Sequence, residues 1–162
     1  SELLPRFLDD LSVFREFLTT EHIGPLDANQ CEVTYVNLIE ADAHWATHAQ
    51  LSRVFCGWSQ DYERQIEFPV EAVQLKVAHL LHDQDGAFVG RLHVSIEPAF
   101  SAPQGSPAAP VPAFRLILTA RGRPIGQGQA GIDAFLDLGH RAVVTSFDRM
   151  ATSEMRNAWG RQ

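Results

Sequence analysis

The apolar positions in the last third of the chain recur every three or four residues. From Gly131 to Met150 they fall on one face of a helical projection, and this spacing predicts a long amphipathic helix. The residues on that face are Ile132, Phe135, Leu136, Gly139, Val143, Phe147 and Met150. Because a period-two pattern lies just upstream, we expect the helix to cover a sheet and to bury Phe147 largely against it.

Three further helices follow from the same spacing and from capping residues. A stripe of leucine and phenylalanine predicts a helix over 4–18, and Asp42 is the expected N-cap of a second helix. The apolar residues of that second helix are Leu51, Val54, Phe55 and Trp58. Thr152 is expected to cap a short last helix, and Gly160 to end it.

Period-two alternation predicts four strands. The first covers 31–39, where β-branched and aromatic residues are frequent, and the last covers 114–121. The inward residues of the last strand are Phe114, Leu116, Leu118 and Ala120. Between these two strands lie two more that form a hairpin, so that the later three strands make a meander.

The hairpin loop is predicted at 83–86, which reads Asp-Gln-Asp-Gly. Matching apolar residues across the hairpin gives the register Leu81 opposite Phe88 and Val77 opposite Leu92. That register leaves a four-residue loop, a common hairpin length, in which Gly86 takes a positive φ.

The segment 98–113 contains five of the nine prolines, with alanine, serine and glycine between them. Such a composition does not bury enough apolar surface to offset the entropy of ordering the chain. We therefore expect a flexible Pro/Ala-rich loop over 98–113.

Length and composition set the class of protein. With 162 residues and 45% hydrophobic content, we expect 1–162 to be a single α+β domain: an antiparallel sheet of about four strands with the long C-terminal helix on one face. Helical sequence directly after Ser1 suggests the C-terminal part of a longer protein. The net charge of −7 argues against a nucleic-acid partner.

Cellular location is predicted from cysteine use and from hydropathy. Cys31 and Cys56 lie in apolar runs and are expected to be reduced core residues. No apolar run approaches the roughly 20 residues of a membrane span, and no signal peptide is recognised. We therefore expect a cytoplasmic protein without a membrane partner.

A glycine motif at 126–131 has the spacing G-x-G-x-x-G of a dinucleotide-binding loop. That fingerprint requires a parallel βαβ unit with an acidic residue ending the next strand. Here the preceding strand belongs to an antiparallel meander and no strand is predicted after the helix. We interpret the glycines as a strand-to-helix loop and expect no cofactor.

Histidines and catalytic motifs give no assignment. His44 and His48 are four residues apart, a metal-ligand spacing, but no cysteine or carboxylate completes a site, so no metal ion is expected. His79 shares the apolar face of its strand and is expected to be a hydrogen-bonded core residue. No nucleophile elbow, carboxylate pair or Cys–His arrangement is present, and no catalytic residue is assigned.

The face of the meander opposite the core collects cationic groups. By alternation it carries Gln74, Lys76, Arg91, His93, Ser95, Arg115, Thr119 and Arg121. One interpretation is an ordinary solvated face with cross-strand Arg–Glu pairs, Glu97 being a candidate partner. The other is a binding platform, whose candidate residues are Lys76, Arg91, His93, Arg115 and Arg121.

Three stretches resemble a sporadically distributed family of uncharacterised bacterial proteins. They are 33–39 (Val-Thr-Tyr-Val-Asn-Leu-Ile), 135–147, and the C-terminal motif 147–161 that contains Phe-Asp-x-Met-x-Thr-x-Glu-Met and ends in Trp-Gly-Arg. The C-terminal motif is the more specific. Members usually carry roughly ninety further residues before the first helix. The resemblance implies bacterial origin and this architecture, and it carries no activity with it.

These observations favour a non-enzymatic binding module that self-associates or binds an anionic ligand or an acidic protein partner. Two alternatives remain. One is an enzyme whose active site is completed by an N-terminal part outside this sequence, which would need a deep pocket with perturbed titratable groups. The other is a helix-grip small-ligand-binding protein, which would show a large apolar cavity between helix and sheet.

Overall fold

A computed structural model describes residues 3–59, 61, 65–102 and 109–160. The fold is α+β, with one antiparallel sheet in the strand order β1-β4-β3-β2. The strands are β1 (Cys31–Glu40), β2 (Leu75–His82), β3 (Phe88–Ser101) and β4 (Val111–Gly122). The helices are α1 (Leu3–Thr20), α2 (Leu51–Val54), α3 (Gly128–Met150) and α4 (Ser153–Ala158).

The long C-terminal helix α3 packs on one face of the sheet, against β1 and β4, as its periodicity predicts. Five residues of the predicted stripe are buried: Ile132, Phe135, Leu136, Gly139 and Val143. Phe147 packs against the core cluster as expected, but it is partly rather than fully buried. It lies near the β1 edge of the sheet and stacks on Trp159, with 5.6 Å between ring centroids.

The core lies between α3, the segment around α2 and the inner face of the sheet. Phe114, Leu116, Leu118 and Ala120 of β4 have no exposed surface, which confirms their predicted inward direction. Trp45 stacks on Phe114 at 4.7 Å between centroids, and Phe55 meets the same ring edge-on. The alternation of residues along β4 predicts its inward face correctly because β4 is a central strand and α3 covers one of its faces.

The second helix differs from its prediction. Asp42 is no N-cap: its carboxylate accepts a hydrogen bond from the His44 amide in a local turn. The helical segment begins after Thr47 with a single 3-10 turn and continues only through Leu51–Val54. Phe55 ends it in extended conformation, because it forms a β-bridge with Ala151.

The hairpin has the predicted faces from Gly90 to Ile96, but its register is shifted by two residues and Phe88, predicted to face inward, is exposed. Leu81 pairs with Gly90 rather than Phe88, and Val77 pairs with Val94 rather than Leu92. A bulge opposite Leu81/His82, in which Val89 of β3 is the extra residue, and a loop of 83–87 account for the shift. The Asp83 carboxylate accepts hydrogen bonds from the amides of residues 85 and 87, and Gly86 has the predicted positive φ of 80°.

Because β2 is an edge strand, its predicted core face is only partly covered. His79 is exposed rather than a core histidine, and Val77 is exposed as well. Neither α3 nor the α2 segment extends over this part of the sheet enough to bury them. Leu81 is the residue of β2 that is buried.

The predicted loop over 98–113 is too wide at both ends. Residues 98–101 continue β3 and residues 111–113 begin β4, and the two segments pair with each other. Pro98 is tolerated because β2 begins at Leu75, opposite Ile96, so that no neighbour on that side needs its missing N–H. The middle of the predicted loop, residues 103–108, lies outside the described residues.

Both cysteines are free thiols, but only one is a core residue. Cys31 is buried, and burial raises the pKa of its thiol. Cys56 is exposed, contrary to its prediction, and its Sγ lies 3.7 Å from the Ala151 carbonyl oxygen.

Candidate functional site

The face of the sheet opposite α3 carries the predicted cationic residues. Alternation places them correctly, and the cross-strand register decides which of them meet. Arg91 of β3 lies directly opposite Arg121 of β4, and His93 lies opposite Thr119. On the other side of Arg121 lies Glu32 of β1, so this row runs across three strands.

Arg91, His93 and Arg121 line an open depression of about 640 Å³ at the end of the sheet. Arg123, two residues beyond Arg121, lines the same depression. The remaining lining residues are Asn29, Gln30, Phe88, Val89, Gly90 and Gly122. Two amide side chains and four groups that are cationic or can become so therefore border one surface hollow.

Two glycines allow the strands to approach closely at this hollow. Gly90 of β3 pairs with Gly122 of β4. A Cβ on Gly122 would lie 2.1 Å from the Val89 carbonyl oxygen, and a Cβ on Gly90 would lie 2.3 Å from that of Arg121. Glycine is therefore required at both positions to hold the arginine-bearing strands at their observed spacing.

The three guanidinium groups of Arg91, Arg121 and Arg123 differ in the groups that they contact. Arg121 donates from Nε to the Glu32 carboxylate, and this hydrogen bond is the largest cause that lowers the pKa of Glu32. Arg91 lies over the Phe88 ring at 5.2 Å, and Arg123 donates to the Phe88 carbonyl oxygen. Among the residues that the structure describes, no carboxylate forms an ion pair with Arg91 or Arg123.

Lys76 and Arg115, the other two predicted site residues, do not join this group. Both contact Glu97, Arg115 by a hydrogen bond and Lys76 at 3.5 Å. Ser95 donates a further hydrogen bond to the same carboxylate. The hydrogen bond from Arg115 is the largest cause that lowers the pKa of Glu97 to about 2. The predicted platform of five residues is thus two clusters, of which this one contains its own counter-charge.

Glu97 is expected to stay ionised in the folded protein down to about pH 2. A depressed carboxyl pKa means that its favourable interactions are present above the ordinary Glu pKa of about 4.3 and are lost as pH falls through the folded value. Titration of the side-chain carboxyl by ¹³C NMR measures this directly. Arg115→Gln should raise the pKa towards its ordinary value, and Lys76→Gln should raise it less. An unshifted Glu97 in the unmodified protein would contradict the cluster.

The glycine motif at 126–131 forms the turn between β4 and α3. Gly126 and Gly128 have positive φ, and the Ile125 amide donates to the Gly131 carbonyl oxygen at 2.9 Å. Because β4 pairs antiparallel with both neighbours, the parallel βαβ unit of a dinucleotide site is not formed by these elements.

The histidines at metal-ligand spacing have separate partners. His44 contacts Glu154 through Nδ1 at 3.0 Å. His48 lies within hydrogen-bond distance of the carbonyl oxygens of Ala99 and Ala113, at 2.9 and 3.0 Å, where β3 and β4 pair. Within the described residues, no group of three or more His, Cys, Asp or Glu side chains could hold a metal ion.

Arg123, Asn29 and Gln30 were not among the predicted site residues. A signal for Arg123 was present, since it continues the alternation of Arg121 past the predicted strand end. Asn29 and Gln30 precede β1, and they reach the site because β1 pairs with β4, a strand far away in sequence. No local pattern reports that pairing.

Comparison of the chain with models of protein families, with curated proteins and with solved structures finds no match in any of the three. In the parts of the chain that the structure describes, no helix is long and apolar enough to cross a membrane.

Proposed function

We propose that this chain is a non-enzymatic binding module that holds a phosphate- or carboxylate-bearing ligand in the depression bordered by Arg91, His93, Arg121 and Arg123. The observation that supports it is the pair Arg91–Arg121, two guanidinium groups on directly opposite residues. Arg123 lines the same hollow.

The electrostatic argument rests on the missing counter-charge. Neighbouring guanidinium groups repel each other, and Glu32 compensates only Arg121 by direct contact. The chain has 20 acidic residues against 13 basic ones, so a shortage of carboxylates is not the reason. An anion supplies the missing charge, and arginine suits phosphate or carboxylate because its planar fork donates two parallel hydrogen bonds.

The shape of the site favours binding over catalysis. The depression is open to solvent and its arginines are exposed, whereas an enzyme needs a pocket that encloses its substrate. Among the described residues it is lined by no Asp, Glu, Cys, Ser or Tyr side chain, so His93 would be a general base without a nucleophile beside it. The enzyme alternative would need residues from outside this sequence.

The helix-grip alternative receives no support from the packing of α3. A Cβ on Gly139 would lie 3.0 Å from the Val33 side chain and 3.3 Å from that of Ala120. Helix and sheet therefore touch at the point where that fold would need its ligand cavity. Bacterial origin and a cytoplasmic location belong to the proposal; the first rests on the resemblance and the second on the reduced cysteines.

The proposal is tested with inorganic phosphate and with citrate as separate probes, by isothermal titration calorimetry and by NMR shifts of the arginine side chains. We expect Arg91→Glu to weaken binding at least about tenfold, since one charge-assisted hydrogen bond contributes about 1.5–3 kcal/mol. Glu32→Gln should strengthen binding, because it removes the competing carboxylate. Binding should weaken with added salt.

Arg115→Glu is the matched control for Arg91→Glu, because Arg115 is exposed on the same face but lies outside the depression and is paired with Glu97. It should leave the affinity for both probes unchanged. Equal loss in Arg91→Glu and Arg115→Glu would show that only overall charge matters. Absence of binding to either anion in the unmodified chain would overturn the proposal.

A further inference from the structure

We propose that strand β1 pairs antiparallel with β1 of a second copy of this chain, so that the two sheets join into one. The inference rests on backbone groups and apolar side chains along the sheet edge. It does not depend on the anion site, and the two are tested by different variants.

β1 forms one edge of the sheet, and among the described residues its ladder is to β4 alone. Every second residue of such a strand points its N–H and C=O away from the sheet, where a further strand can pair. The ten residues Cys31–Glu40 pair with β4 without any shift of register, and they include neither proline nor lysine. The edge of β1 that faces away from β4 is therefore regular and has no proline or lysine, so a further strand can pair with it.

The opposite edge strand, β2, has features that oppose pairing with a further strand. It is two residues shorter than β1 and contains Lys76, and its ladder to β3 loses its regular register at Leu81/His82, where Val89 of β3 is the extra residue. Lysine and irregular pairing are among the devices by which native proteins prevent edge pairing. The chain thus blocks one edge of its sheet and leaves the other available.

The available part of β1 is its second half. At the N-terminal end of β1, Cys31 and Val33 contribute to a small apolar cluster. Helix α1 joins this cluster through Leu4, Leu8 and Leu11. Along 36–40 a groove of about 570 Å³ runs between the strand and the stacked rings of Phe147 and Trp159. An added strand would lie in this groove.

The exposed side chains select the register. On the outer face, Val36 and Leu38 are 62% and 50% exposed. A two-fold axis at Asn37 places each Val36 opposite Leu38 of the second copy, and directly opposite residues share a face with Cβ atoms about 4.5–5.5 Å apart. Both apolar residues are then covered by the same pairing.

Neighbouring registers are less favourable. An axis at Val36 would place Glu32 opposite Glu40 of the second copy, and like charges in that position are destabilising. An axis at Tyr35 would move the pairing towards the end where α1 joins the apolar cluster. The axis at Asn37 confines pairing to 34–40 and avoids both problems.

The size of the contact sets the expected strength. Seven residues at about 3.4 Å each span roughly 24 Å, and the two layers of the fold are each about 10 Å thick. This footprint of roughly 500 Å² per copy is below the roughly 800 Å² of a standard stable interface. We therefore expect a reversible dimer whose fraction rises with protein concentration.

Sedimentation velocity from about 1 µM to about 500 µM tests the dimer, since small interfaces dissociate in this range. Val36→Lys and Leu38→Lys should each weaken association at least about tenfold, because a lysine is then buried next to an apolar partner. Leu80→Lys is the matched control. Leu80 is 61% exposed on the outer face of β2, and its replacement by lysine should leave association unchanged. Melting curves check that each variant is folded.

Disulfide trapping tests the register. In a Cys56→Ser background, Asn37→Cys should cross-link two copies under mild oxidation, because opposite Cα atoms lie about 4.5–5.5 Å apart, within disulfide range. Val36→Cys should cross-link much more slowly, since Val36 faces Leu38. Phe14 on α1 is 47% exposed and marks a competing surface. A chain that stays monomeric at all concentrations, or a dimer dissociated by Phe14→Asp but not by Val36→Lys, would overturn the proposal.

Discussion

Replacing Phe135 with alanine should lower the free energy of unfolding by about 3–5 kcal/mol, the usual loss for a fully buried phenylalanine. Phe135 has no exposed surface and lies between α3 and the sheet, next to Ile132, Leu136 and Cys31. A Cβ on Gly122 would lie 2.6 Å from its ring, so the ring fills the space above the glycine pair. The substitution leaves a cavity that backbone on both sides keeps open.

Urea unfolding followed by circular dichroism measures this loss, and Phe147→Ala is the matched control on the same helix. Phe147 is only partly buried, so its loss should be clearly smaller, by about half or more. Equal losses would mean that the C-terminal end of α3 packs as tightly as its first half. A loss below about 1 kcal/mol for Phe135→Ala would contradict the packing of α3 on β4.

The faces of the strands were predictable wherever one face is buried. In β4, alternation identifies Phe114 and Leu118 as core residues, because Arg115, Thr119 and Arg121 occupy the alternate positions and only Ile117 departs from the pattern. The helix α3 was predictable for the same reason with a period of 3.6. These patterns indicate which residues are buried, and burial of a residue does not depend on which residue of the next strand lies opposite it.

Register and strand ends were less predictable, because they depend on neighbours. A shift of two residues keeps every side chain on its face, so the hydrophobic pattern of the hairpin cannot distinguish Leu81–Phe88 from Leu81–Gly90. The bulge after Leu81 decides between them. Pro98 likewise marks a strand end only if a neighbouring strand needs its N–H, and here none does.

In the candidate site, too, the faces were predictable and the contacts between strands were less so. Alternation places Arg91, Arg115 and Arg121 on one face, and this was confirmed by the register of β3 and β4. The carboxylate partners were predictable only in part, since the sequence indicates Glu97 as a candidate partner but not Glu32. Glu97 lies directly opposite Arg115, but Glu32 reaches Arg121 only because β1, far away in sequence, pairs with β4.

Gly122→Ala should lower the free energy of unfolding by about 3 kcal/mol, the upper end of the range for over-packing. The new methyl group would lie 2.1 Å from the Val89 carbonyl oxygen and 2.8 Å from the Gly90 Cα. Both are backbone atoms, which cannot rotate away, so β3 and β4 must separate locally. Gly57→Ala is the matched control, because its methyl group would meet only the end of the Leu75 side chain, at 3.3 Å.

The same separation should reach the anion site. Arg121 precedes Gly122, and Arg91 follows Gly90, so strands forced apart at the glycine pair also move the two guanidinium groups apart. We therefore expect Gly122→Ala to weaken phosphate binding in protein that is still folded at low temperature, while Gly57→Ala leaves both stability and binding within about 1 kcal/mol of the unmodified chain. Unchanged stability in Gly122→Ala would show that β3 and β4 are not as close as described. Lower stability with unchanged phosphate binding would show that the spacing of Arg91 and Arg121 does not determine affinity.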